Sequence, residues 1–78
     1  MTLSKAISKR IEKLCKDRNI TINKFSTIAG VTQSTIDHIV KQDRKDPRSL
    51  TILRIARGFD MTLSEFFNDK MFDNLDDD

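Results

Sequence analysis

The chain has 78 residues, 37% hydrophobic and 33% charged, with one cysteine and a formal net charge of +2. That length excludes two separate cores, the lone cysteine excludes an internal disulfide, and the lack of any run of about 18 apolar residues or a signal-peptide core excludes a membrane span, so one soluble, cytoplasmic domain of modest stability is expected. The small net charge conceals a division: residues 1–58 carry 13 Lys or Arg against five Asp or Glu, while residues 59–78 carry one Lys against seven acidic residues. A basic body of this kind points to a polyanion partner.

In chain order, Ile7, Ile11, Leu14 and Cys15 recur at the spacing of one helix face, with Lys5, Lys9, Arg10, Lys13 and Lys16 filling the other positions, which predicts a first helix over about 4–17. Asn19 tolerates a left-handed backbone, and Thr21 is placed to cap a second helix from Ile22 to Ala29 that buries Phe25 and Ile28. Gly30 supplies the positive φ that ends it. Thr32 caps a third helix whose buried stripe is Ile36, Ile39 and Val40, with Gln33, Ser34, Asp37 and His38 outside. Residues 41–46 contain no apolar side chain and read as an exposed loop. Pro47 suits the first turn of a fourth helix, and Leu50, Ile52, Leu53, Ile55 and Ala56 make that helix the expected centre of the core. Thr62 and Glu65 form a capping-box pattern that opens a fifth helix. Beyond it, Phe67, Met71, Phe72 and Leu75 make an apolar stripe at helical spacing, and the terminal Asp76, Asp77 and Asp78 are expected to be disordered. The fold class is all-α, a compact five-helix domain over residues 1–68 followed by an acidic tail over 69–78.

Two helices joined by a short glycine turn, over Thr21 to Val40, have the length of a helix-turn-helix, and a helix about 10–12 Å across fits a major groove about 12 Å wide. The stretches Ile20-Thr21-Ile22-Asn23-Lys24-Phe25 and Ala29-Gly30-Val31-Thr32-Gln33-Ser34-Thr35-Ile36, then Pro47, Leu53-Arg54-Ile55-Ala56 and Leu63-Ser64-Glu65-Phe66-Phe67, resemble the Xre or Cro/cI-like regulators of the lambda-repressor-like fold. The likeness runs without gaps from about residue 7 to residue 67. It implies sequence-specific binding of double-stranded DNA by a transcriptional regulator, expected to be a repressor. Base reading falls by resemblance on Gln33, Ser34 and His38, with Asp37 as a specificity filter that accepts from cytosine N4. Backbone contacts fall on Ile22 and Asn23 through their amides, on Thr35, and on Lys41, Arg44, Lys45 and Arg48. A homodimer on a roughly palindromic operator is expected, with Phe67, Met71, Phe72 and Leu75 as its contact, although further core around helix five is the plainer reading of that stripe.

Three departures from the family pattern bear on the site. Ile22 stands where many relatives have Gln, so a polar contact to the first recognition residue is absent and Gln33 is expected to be oriented differently. Ser26 replaces a usual alanine at the contact between helices. Cys15 and Val40 replace an Arg–Glu ion pair, which predicts that these two side chains touch. No cofactor, metal or small-molecule ligand is expected: there is one His, no zinc set, and no arrangement for nucleophilic catalysis, so no enzyme is read. The alternatives are an antitoxin or protein-interaction module that uses the C-terminal apolar stripe, and a purely structural helical domain. RNA binding is disfavoured because the chain has no Tyr or Trp to stack on bases.

Overall fold

The computed structural model describes residues 1–41 and 47–77. Among the described residues five α-helices follow one another, α1 (Leu3–Asp17), α2 (Ile22–Ala29), α3 (Gln33–Lys41), α4 (Ser49–Gly58) and α5 (Leu63–Phe66), and a 3-10 turn spans Lys70–Phe72. The fold is all-α, and the helices lie within one or two residues of the spans that periodicity and caps predicted, except at the C-terminal end.

Three of the junctions are built the same way. Asn19, Gly30 and Asp60 take left-handed backbones, with φ of 55°, 69° and 60°. The apolar residue that follows each one donates its amide to a carbonyl five residues back, Ile20 to Cys15, Val31 to Ser26 and Met61 to Ala56, at 2.9–3.1 Å. This satisfies carbonyls that the end of a helix leaves without partners. A threonine comes next in each case, and its hydroxyl accepts from an amide three residues on: Thr21 from Lys24 at 3.0 Å, Thr32 from Thr35 at 3.2 Å, Thr62 from Glu65 at 3.1 Å. Each three-residue junction therefore stops one helix and starts the next. At Thr62 the box is complete, since the Thr62 amide donates to the Glu65 carboxylate at 2.9 Å.

The centre of the core is α1 rather than α4. Ala6, Ile7, Ile11, Leu14 and Cys15 are buried on α1, against Phe25 from α2, Ile36 and Ile39 from α3, Ile55 and Ala56 from α4, and Phe59 and Phe66. Phe25 and Phe59 stack with ring centroids 3.9 Å apart. On α4 only Ile55 and Ala56 are buried, Leu50 is exposed, and Ile52 and Leu53 are half-buried, because the short helix is covered on one side only. Ile28, expected inside, is also exposed. Pro47 precedes the helix instead of opening it, and Arg48 occupies the N-cap.

Arg10, assigned to the solvent face, is buried. It lies on the Ala6–Leu14 row of α1, one turn from each, and its guanidinium donates to the Phe66 carbonyl at 2.7 Å and the Glu65 carbonyl at 3.0 Å. In a longer α5 these two carbonyls would accept from the next turn's amides. With Arg10 bonded to them, the Asp69 amide turns to the Phe67 carbonyl, and the Asp69 carboxylate caps a new turn by accepting from Met71 at 3.0 Å. The helical stripe expected from Phe67 to Leu75 is thus broken after Phe66.

The acidic tail is tied to the body at Asp69 and Asp76. Asp69 also pairs with Lys13 at 2.9 Å, Asp76 bridges to Thr2, and the Met1 ammonium lies 3.1 Å from the Asp76 carboxylate. Asp76 is accordingly tied to the chain's first residues rather than disordered, while Asp78 lies outside the described residues. A hydrogen bond also joins α1 to α3. Ser8, two turns before Cys15, donates its hydroxyl to the Val40 carbonyl at 2.8 Å. Cys15 sits in the core cluster, and Val40 packs against that cluster from its edge.

Candidate nucleic-acid interface

The start of α3 is built from α2 upward. The left-handed Gly30 turns the chain at once, Val31 packs on the core, and Thr32 caps the helix, so the first turn of α3 is presented beside α2. Gln33 and Ser34 in that turn are exposed; Asp37 and His38, one turn later, are half-buried. Nothing from the tail reaches them among the contacts described, since Asp69 and Asp76 engage Met1, Thr2, Arg10 and Lys13. Thr35 is half-buried, its hydroxyl accepting from Thr32 at 2.8 Å.

Gln33 is the best-defined side chain of this surface. Its Nε2 donates to Asp37 Oδ1 at 2.9 Å, and its Oε1 accepts from Ser26 Oγ at 3.2 Å. Ser26 is buried, and its hydroxyl is also 2.8 Å from the Asn23 carbonyl, to which it donates. Ile22 packs on the core, and the residue of α2 that meets Gln33 is Ser26, one turn further along the helix. In the sequence Ser26 stands out only as a replacement for a usual alanine at the contact between helices. The available signal was a hydroxyl at an apolar helix contact, seven residues before the recognition residue.

The groups expected to meet the DNA backbone are spread over two helices. Asn23 is exposed, and the amides of Ile22 and Asn23 belong to the first turn of α2, where a helix has no internal acceptors for them. Lys41 at the end of α3 and Arg48 before α4 are exposed cations. Arg44 and Lys45 lie outside the described residues. Of the residues expected at a dimer contact, Phe67, Met71, Phe72 and Leu75 are each half-buried. Phe67 and Phe72 already pack on the core with ring centroids 5.0 Å apart, so part of that apolar surface is spent within the chain.

Cys15 is chemically quiet. Burial pushes its thiol pKa up, the nearby Arg18 charge opposing this only in part, and a thiol held in its neutral form is a poor nucleophile. Among the described residues no group of three or more His, Cys, Asp or Glu is placed to hold a metal ion, and no helix is long and apolar enough to cross a membrane.

The geometry agrees with comparisons to known proteins. A family model of the Cro/C1-type HTH DNA-binding domain matches residues 10–70. The chain is also similar to a solved structure, the crystal structure of the prophage Lp1 protein 11, with a TM-score of 0.82 and 25% identity over 96% of this chain and 99% of that one. No match is found among curated proteins. With the family model spanning α2 to α5 and more than half of α1, the chain belongs to the Cro/C1-type helix-turn-helix family of DNA-binding domains.

Proposed function

We propose that this protein is a sequence-specific transcriptional regulator, a repressor acting in the cytoplasm, that reads an operator in the major groove with α3. The observation that carries the reading is the uncharged first turn of α3, where Gln33 and Ser34 are exposed to solvent and untouched by the described contacts of the acidic tail. Polar groups without charge suit base-edge hydrogen bonds, whereas exposed cations suit phosphates. Gln33, Ser34 and His38 read bases and Asp37 filters them. The Ile22 and Asn23 amides, Thr35, Lys41, Arg44, Lys45 and Arg48 hold the backbone. Two copies meet through what remains exposed of Phe67, Met71, Phe72 and Leu75, which sets two α3 helices about 34 Å apart on a roughly palindromic site.

Selection of binding sites from a random duplex library, followed by affinity measurements at several salt concentrations, tests this. Gln33→Ala is expected to cost about 1–3 kcal/mol and relax one base pair per half-site. Lys45→Ala is expected to weaken all sequences alike and lower the salt slope by about one. Equal affinity for selected and random duplexes refutes base reading. One protomer per selected site in equilibrium sedimentation refutes the dimer.

A further inference from the structure

We infer that Ser26 and Asp37 are positioning residues that lock the Gln33 carboxamide in one polarity, so that Asp37 sets an adenine-over-guanine preference through Gln33 instead of reading a base itself. The inference rests on the reading of α3 as the groove helix, and adds to it the base that is preferred and the cause of the preference.

A glutamine on a surface has three rotatable bonds and two nearly equivalent amide orientations, and freezing them on binding costs entropy. Here two hydrogen bonds favour one orientation beforehand. Nε2 donates to Asp37 Oδ1 at 2.9 Å, and a carboxylate accepts hydrogen bonds without donating any. The amino end of the carboxamide must therefore face Asp37, because a flipped amide would set two acceptors against each other. Its oxygen end then faces Ser26, whose hydroxyl lies 3.2 Å away and comes from a buried residue of α2 that is itself bonded to the Asn23 carbonyl. The single Ser26 proton is shared between these two oxygens.

The clamp leaves part of the carboxamide for a ligand. Nε2 keeps one hydrogen after Asp37 is served, and Oε1 keeps one lone pair after Ser26 is served. One donor beside one acceptor matches adenine, which offers N7 as acceptor and N6 as donor in the major groove. Guanine offers two acceptors, N7 and O6, so it meets Oε1 with O6 and is rejected. A mobile glutamine turns its amino group to guanine freely; a clamped one must first give up its bond to Asp37. A carboxylate in the groove, unfavourable beside phosphates, thereby acquires a role that requires no base contact of its own.

The test uses the full chain and duplexes selected by it from a random library, with each base pair of the selected site then varied singly. Gln33→Ala identifies the base pair that Gln33 reads, by a fall of about tenfold or more in preference at that pair. Asp37→Asn keeps the shape of the side chain but introduces a donor, so a flipped Gln33 becomes acceptable. It is expected to lower the adenine-to-guanine affinity ratio at that same pair by about five- to tenfold and to have no further effect on the ratio in a Gln33→Ala background. Ser26→Ala is expected to act at the same pair with a smaller fall. If Asp37→Asn relaxes a different pair, or leaves the ratio unchanged where Gln33→Ala reduces it, the clamp is refuted while groove reading by α3 stands. If Gln33→Ala changes no base preference, the clamp and the groove reading fail together.

Discussion

Replacing Gly58 with alanine sets two effects of opposite sign against each other, and the structure decides between them. Gly58 closes α4, and in a helix alanine is favoured over glycine by up to about 1 kcal/mol. A Cβ at Gly58, however, would stand 2.8 Å from Ala29 Cβ, 3.0 Å from Ala29 Cα and 3.0 Å from Phe25 Cε1. Carbon atoms pack at about 3.5–4.0 Å, so α2 and α4 would have to part by several tenths of an ångström to about 1 Å. Neither neighbour can yield cheaply, since Ala29 presents backbone and Phe25 is stacked on Phe59 at 3.9 Å. With contacts this short, overpacking falls in the upper part of its usual range, about 2–3 kcal/mol, which leaves a net loss of about 1–2 kcal/mol and a fall in Tm of about 5–15 °C for a domain of this size. Thermal unfolding followed by circular dichroism measures it. The double variant with Ala29→Gly should recover part of the loss, because the tightest contact is then gone. Gly30→Ala is the control: nothing lies within 4 Å of its Cβ position, so its cost of about 1–2 kcal/mol comes from the left-handed backbone and Ala29→Gly should not relieve it. A Tm for Gly58→Ala equal to or above that of the unaltered protein would refute the packing argument.

Two further outcomes concern the C-terminal segment. Arg10→Met should remove about 1–3 kcal/mol of stability, measured by urea unfolding, because it strands the Phe66 carbonyl and leaves the Glu65 carbonyl with the Asn68 amide at 3.2 Å; a loss well below about 1 kcal/mol would mean that the Phe66 carbonyl finds another partner. Acid should also weaken the fold. The Met71 amide first, and then Lys13 and Arg10, hold the Asp69 carboxyl below its ordinary range, and the Thr62 amide and hydroxyl do the same for Glu65. Since both pKa values are lower in the folded chain, this stability is complete above the unfolded values of about 4–4.5 and is lost as pH falls through the folded ones. Asp69→Asn should flatten that fall in a series of Tm measurements from pH 7 to pH 2, and an unchanged acid slope would assign the effect elsewhere.

The family resemblance, the order of the helices and the face of α3 turned outward were legible in the residues, and so were most of the turns. Asn19, Gly30, Thr21, Thr32 and Thr62 were readable because a left-handed stop and a threonine cap are completed by hydrogen bonds that reach no more than five residues along the chain. Asp60 was missed although it follows the same rule, with methionine and threonine after it as isoleucine or valine and threonine follow the other two. The errors have a common form. Ile28 and Leu50 were expected inside, Arg10 outside and α5 longer, and each depends on which distant segment stands opposite. Hydrophobic period tells that a helix has two faces, but not how far a neighbour covers one of them. Arg10 is buried because two carbonyls 55 and 56 residues away await it, and α5 stops for the same reason. Gln33 shows the division within a single side chain. Its place at the open end of a helix followed from Thr32 beside it, whereas the direction of its amide required Ser26 to be brought up from α2, which only the packing of one helix on another can do.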